Sequence, residues 1–177
     1  MKRLIATIIS ILLFQNLLIA ANNPTPLQIF FIIKKVFPET QEVNLFIPNA
    51  VIADEQSKIT RAAAQTQLKA KIFGIENATD IGKSLKKLEE GSILFILNSD
   101  IIQRKSTKLY ILSKCKENKI ALITSSSEYS NSGALIGIFK DENQKTQIVL
   151  NLKHYDYFKS KFTDDFIQQA GIASVLK

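Results

Sequence analysis

Short apolar runs and amphipathic stretches take turns along the middle of this chain. The run Ile93-Leu94-Phe95-Ile96-Leu97 follows Gly91-Ser92 and stops at Asn98-Ser99-Asp100. It is too short for a helix and lacks period-two alternation, which predicts a strand covered on both faces, in the middle of a sheet. Similar runs at Val43 to Ile47 and Ile120 to Thr124 predict two more strands, the first stopped at Pro48. Lys69 to Ile75 alternates instead, with Ala70 and Ile72, and Phe73 beside them, facing inward. That pattern predicts a half-exposed strand near an edge.

The stretches between are helical in pattern. Ala53 to Gln67 carries Asp54 and Glu55 in its first turn, and Ile59, Ala62, Ala63 and Leu68 mark an apolar face whose alanines allow close approach to a sheet. Thr79 or Asp80 is placed to cap the next helix, with Ile81, Leu85 and Leu88 on one face and Glu89-Glu90-Gly91 closing it. Ser99 to Lys119 predicts a helix with a loose start and a buried face of Leu109, Ile111, Leu112 and Cys115. Strand and helix therefore alternate from Val43 to Thr124. With right-handed crossovers this order predicts an α/β three-layer sandwich around a mostly parallel, Rossmann-like or flavodoxin-like sheet.

The pattern then changes. Ser125 to Gly133 reads as a polar loop at the carboxyl end of a parallel strand, the edge where open α/β sheets bind ligands. Ala134 to Phe139 and Gln147 to Asn151, joined by Lys140 to Gln144, predict a β-hairpin. Leu152 to Lys161 and Thr163 to Ala170 read as helices, the second capped by Thr163. Upstream, Thr25 and Pro26 open a helix over Leu27 to Val36, which Pro38 ends. Its run Phe30-Phe31-Ile32-Ile33 is too wide for one buried face. Either the helix is sandwiched in the core, or Phe30, Phe31 and Ile32 contact a partner.

At the N-terminus, Lys2 and Arg3 precede an apolar segment from Leu4 to Ala20, broken by Gln15 and Asn16, and small Ala20 and Ala21 follow. This pattern predicts a secretory signal over residues 1–21, an exported and periplasmic product, and one α/β domain over 22–177. An uncleaved anchor competes, but the run is short and interrupted for a spanning helix of roughly 20 apolar residues. Loss of Lys2 and Arg3, with no acid, lowers the formal charge from +7 to +5. The lysines are scattered singly or in pairs such as Lys34-Lys35 and Lys86-Lys87, without interleaved aromatics. A solvated surface is expected rather than a nucleic-acid face. Anionic lipid or a cell-wall fragment remains a partner class for a basic exported protein.

Candidate chemistry is sparse. Cys115 is the only cysteine, so no intrachain disulfide forms, and its place at the end of a helical pattern predicts a buried small apolar residue. His154 is the only histidine and has no second soft ligand, so neither a metal site nor a cofactor site is expected. The chain has no Gly-x-Ser-x-Gly and no glycine-rich phosphate loop. The pairs Glu89-Glu90 and Asp164-Asp165 hold adjacent carboxylates, which point about 100 degrees apart on a helix. No catalytic residue is assigned, and the chain is expected not to be an enzyme.

The C-terminal third carries a further pattern. Ser132-Gly133-Ala134-Leu135-Ile136-Gly137, then Gln147-Ile148-Val149-Leu150-Asn151-Leu152, then Lys161-Phe162-Thr163 and a helix through Phe166 to Ala170 resemble the closing segment of the YfiR-like family of exported bacterial proteins. In residues the resemblance covers Ser132 to Lys177. The aromatic-Pro element after the first helix is echoed by Val36-Phe37-Pro38, the doubled glycine of the family is a single Gly133, and the crosslinking cysteines are absent apart from Cys115. The resemblance implies a small periplasmic protein with a Rossmann-like fold. It implies a regulator, often a homodimer, that restrains a membrane-bound signalling protein of the cyclic di-GMP cyclase type by binding its periplasmic domain. Gly133 would permit the turn into the hairpin, and Asn151 would end the return strand and cap the following helix.

Two non-enzymatic readings result. One is this regulator, acting through an apolar patch at Phe30, Phe31 and Ile32. The other is an exported solute-binding lobe related to the substrate-binding proteins of ABC importers, with a small ligand held by Ser125, Ser126, Ser127 and Tyr129. Such receptors close two comparable lobes on a ligand, and 177 residues supply about one.

Overall fold

A computed structural model describes residues 24–176, so the predicted signal lies outside the described residues. Helix α1 (Pro26–Val36) leads into β1 (Glu42–Pro48); a 3-10 turn (Asn49–Val51) then opens α2 (Ile52–Thr66). Next come β2 (Lys69–Ile75), α3 (Ala78–Leu85), β3 (Ile93–Ile96), the short α4 (Asp100–Gln103), α5 (Lys105–Glu117) and β4 (Ala121–Thr124). The chain ends with α6 (Ser127–Ser132), β5 (Ile136–Lys140), β6 (Thr146–Asn151), α7 (Asp156–Lys159), α8 (Asp164–Ala170) and β7 (Ser174–Leu176).

Among the described residues the strands form one sheet in the order β2-β1-β3-β4-β5-β6-β7. Neighbours from β2 to β5 are parallel, β5 and β6 form the expected antiparallel hairpin, and β7 pairs parallel with β6. The first five positions are the flavodoxin-like order. The predicted α/β three-layer sandwich is the observed one. One core cluster joins α1, α2 and the α7–α8 region to one face of the sheet, and a second joins α3, α5 and α6 to the other. The central run Ile93–Ile96 is buried along its whole length, as a strand covered on both faces must be. At the sheet's edge, β2 is only partly covered.

Local chemistry explains the elements. Thr25 Oγ1 accepts from Gln28 N at 3.3 Å while Gln28 Oε1 accepts from Thr25 N at 2.9 Å, a reciprocal cap with Pro26 at the first position. The cap of α3 is Asn77, not Thr79 or Asp80: its Oδ1 accepts from Thr79 N at 2.9 Å and Asp80 N at 3.2 Å. Asp80 instead bonds back to Asn77 N at 3.1 Å, as the third residue of the box. Gly133, at φ +123°, ends α6 in a conformation that disfavours other residues, as expected for the turn toward the hairpin.

Three expectations fail for physical reasons, and one strand was not foreseen. Leu109 is exposed, because the buried stripe of α5 runs through Thr107, Ile111 and Cys115, and Leu109 lies two residues, about 200°, from Ile111. The predicted loop Ser125 to Gly133 contains α6, whose cap is Ser126 accepting from Tyr129 N at 3.3 Å. The stretch Leu152 to Lys161 makes only one helical turn, since Leu152, Tyr155, Phe158 and Phe162 turn into the core in an aromatic cluster. Strand β7 has no strong apolar signal, with Ser174 and Leu176 exposed, and it forms only by pairing with β6.

Candidate functional site

The strand order places β1 beside β3, and their connections leave to opposite faces. From β1 the chain passes through Asn49–Val51 into α2 on one face; from β3 it passes through Asn98 and Ser99 into α4, whose Ile102 is buried in the cluster of the other face. Diverging connections open a crevice at the carboxyl ends of the strands, where ligands of open α/β sheets sit. Parallel pairing of β3 with β4 brings the segment after Thr124 to the same edge.

Polar side chains gather there. Gln103 Nε2 donates to Asn98 Oδ1 at 2.5 Å and to Ser126 Oγ at 2.9 Å, linking the ends of β3 and β4. Ser126 N donates to Thr124 Oγ1 at 3.0 Å, which fixes the turn out of β4. Ser99 Oγ and Gln103 Oε1 are buried without a protein partner, although Ser99 occupies a cap position whose hydroxyl normally accepts a backbone N–H. Buried acceptors left unmatched cost stability, so the two on this edge call for a functional reason.

Of the predicted ligand residues, the structure brings Ser125 and Ser126 to this edge and sets Ser127 exposed at the start of α6. Tyr129 is corrected: it is fully buried, with its hydroxyl donating to Ile102 O at 3.0 Å, so it anchors α6 to the end of α4. Burial pushes its phenol well above the usual range. Asn98, Ser99 and Gln103 were missed, because a turn after a buried strand gives no sign of which neighbour it faces. Asn151 is also corrected: its Nδ2 donates to Ser130 O at 3.2 Å and its Oδ1 accepts from Lys153 N at 3.1 Å. It therefore pins α6 to β6 and closes a turn rather than capping a helix.

The partner-patch residues divide. Phe30 is in the core at 1% exposure, so it is removed from the patch; its line with Ile29, Ile33 and Val36 is the inner face of α1. Phe31 is 53% exposed on the outside, and Ile32 is half-buried against the core. Beside the inner face, α1 and α2 leave a groove of about 630 Å³ floored by Leu45, Ile47 and Phe95, with Leu97 at its carboxyl end and Glu55, Lys58 and Arg61 along α2.

Other reactive groups are occupied. Cys115 is buried, which raises its thiol pKa and keeps it from reacting as a thiolate. Lys108 pairs with Glu128, linking α5 to α6 behind the edge cluster. Exposed His154 sits in a turn, and among the described residues no group of three His, Cys, Asp or Glu side chains could hold a metal ion.

No family model and no curated protein sequence matches the chain. Solved structures do match in fold. A conserved domain protein from Vibrio cholerae O1 biovar El Tor aligns with a TM-score of 0.70 at 13% identity, over 86% of this chain and 61% of the other. A Streptococcus pneumoniae structure described as an ABC domain in complex with L-Trp aligns at 0.66 and 11%, over 86% and 62%. A ligand-free, open substrate-binding protein with adhesive properties from Clostridium difficile aligns at 0.59 and 14%, over 84% and 58%. This chain therefore spans about three fifths of the length of the structures it resembles, and at such identities the likeness establishes fold alone.

Proposed function

We propose that this chain is an exported, non-enzymatic binding protein with a lobe of the substrate-binding type, which takes a small polar ligand at the carboxyl edge of its sheet. The observation that carries this reading is the cluster of Asn98, Ser99, Gln103 and Ser126 at the crevice beside β3, with two buried acceptors unmatched by the protein. A ligand offering hydrogen-bond donors, such as an amine, amide or hydroxyl group, satisfies those acceptors. The fold shared with the ligand-bound pneumococcal structure and the Clostridium difficile substrate-binding protein supports the reading by analogy. Export rests on the Lys-Arg and apolar pattern of residues 1–21.

A second reading, the YfiR-like regulator of a membrane-bound cyclic di-GMP cyclase, is favoured by Phe31, a large aromatic side chain left half-exposed on α1. Native mass spectrometry of the mature protein, purified from its own cell envelope, separates the two. The binding reading expects a retained small molecule that is lost in Gln103→Leu. Absence of any retained mass, together with a stoichiometric complex with an inner-membrane protein broken by Phe31→Glu, would replace it with the regulator.

A further inference from the structure

The groove between α1 and α2 lies on the face of the sheet opposite α3, α5 and α6, and its chemistry differs from that of the polar edge. Its floor is hydrocarbon from β1 and β3, and Ile59 and Ala62 of α2 continue that surface up one wall. At about 630 Å³ it falls in the size range of small-molecule sites. Its lining runs along α2 from Glu55 to Gln65, roughly 15 Å at the rise of a helix. Length with an apolar floor suits an unbranched chain better than a compact polar solute.

The rim supplies the other half of the chemistry. Among the described residues, Lys58 is engaged with Glu55 at 2.7 Å, the one acid lining the groove, and Arg61 has no acidic partner. A guanidinium presents parallel donors that fit a carboxylate in bidentate fashion. We propose that this groove binds an amphipathic anion of the fatty-acid class, its chain lying over Leu45, Ile47 and Phe95 and its carboxylate paired with Arg61. The site is separate from the edge cluster, so its failure leaves the small-ligand reading standing.

The test titrates the mature protein with cis-parinaric acid, read by fluorescence, and displaces it with palmitate or with hexadecanol, the alcohol of equal chain length. Saturable one-to-one uptake is expected, with palmitate displacing about tenfold better than hexadecanol and with Arg61→Gln weakening palmitate by a similar factor. Val51→Trp, at the partly exposed mouth, should block uptake while circular dichroism stays that of the wild type. Should that variant fail to fold, the surface change Arg61→Gln and the acid-alcohol pair still decide. No saturable uptake by the wild type, or equal displacement by acid and alcohol with Arg61→Gln unchanged, would overturn the proposal. So would a concentration-dependent dimer that excludes the probe, which would assign the groove to a second copy.

Discussion

Phe46, Leu94, Ile96 and Leu122 point from the sheet into the α3–α5–α6 face and reach no solvent, whereas Leu45, Ile47 and Phe95 on the opposite face, themselves only 1–3% exposed, line the floor of the groove beside α1 and α2. Both faces are equally apolar; what differs is how their helices are held. Helices α2, α3 and α5 all belong to crossovers with a strand at each end, which draws them onto the sheet, so the difference lies at α1. Among the described residues, helix α1 joins the sheet through β1 at its carboxyl end, and its opposite end carries Pro24 and Thr25 at the groove. Sealing therefore follows from connectivity as much as from hydrophobicity. The sealed face supplies the rigidity on which the edge cluster depends, since α4 and α6, which carry Gln103 and follow Ser126, are anchored in it through Ile102 and Tyr129.

The largest effect that sharpens this contrast is expected at Ile96. Ile96→Ala should cost about 2–5 kcal/mol in urea denaturation, while Leu97→Ala, one residue on at the groove, should cost about 1 kcal/mol or less. Equal losses would mean that the two faces are packed alike. Next comes Tyr129→Phe, which leaves the buried Ile102 carbonyl unmatched and should lower stability by about 1–2 kcal/mol. An unchanged melting curve would show that α4 and α6 are not coupled through this bond.

Helix α1 gives a matched pair. Phe31→Glu should fold as the wild type within about 0.5 kcal/mol, whereas Phe30→Glu should not fold, as circular dichroism will report. Loss of a dimer or of a membrane-protein partner in Phe31→Glu would strengthen the regulator reading.

The smallest effect is expected at the hairpin turn, on neither face. Asp141 accepts from Gln147 Nε2 at 2.6 Å and from Lys145 N and Asn143 N at 2.9 Å each, and these bonds hold its carboxyl below the ordinary range, the Gln147 bond most of all. A lowered folded-state value contributes stability above the unfolded pKa of about 3.9, which is lost as pH falls through the folded value. The melting temperature of Asp141→Asn should therefore lie slightly below that of the wild type at neutral pH, and the gap should close in acid. A gap that widened in acid would reverse the sign.

Periodicity carried most of the fold. The buried run at Ile93, the alternation at Lys69, the Thr25 cap and the hairpin around Lys140 to Gln144 were legible because each signal is local. Strand β7 was not, because three residues with an exposed pattern become a strand only beside β6. The smaller part of the edge cluster was legible: Ser125 and Ser126 stood out as polar residues after a parallel strand. Asn98, Ser99 and Gln103 did not, because the order that sets β3 beside β4 joins residues more than twenty positions apart. Tyr129 misled for the opposite reason, since a polar tip in a serine-rich stretch suggests a ligand contact until the Ile102 carbonyl is found to take its hydroxyl.

The most direct test of binding at the carboxyl edge is backbone amide NMR of the mature protein, titrated with the small-molecule fraction of its own cell envelope. Shifts confined to Asn98–Gln103 and Ser125–Ser127, and absent in Gln103→Leu, are the predicted result. Spectra unchanged at that edge, with shifts appearing only around Phe31 when membrane proteins are added, would contradict it.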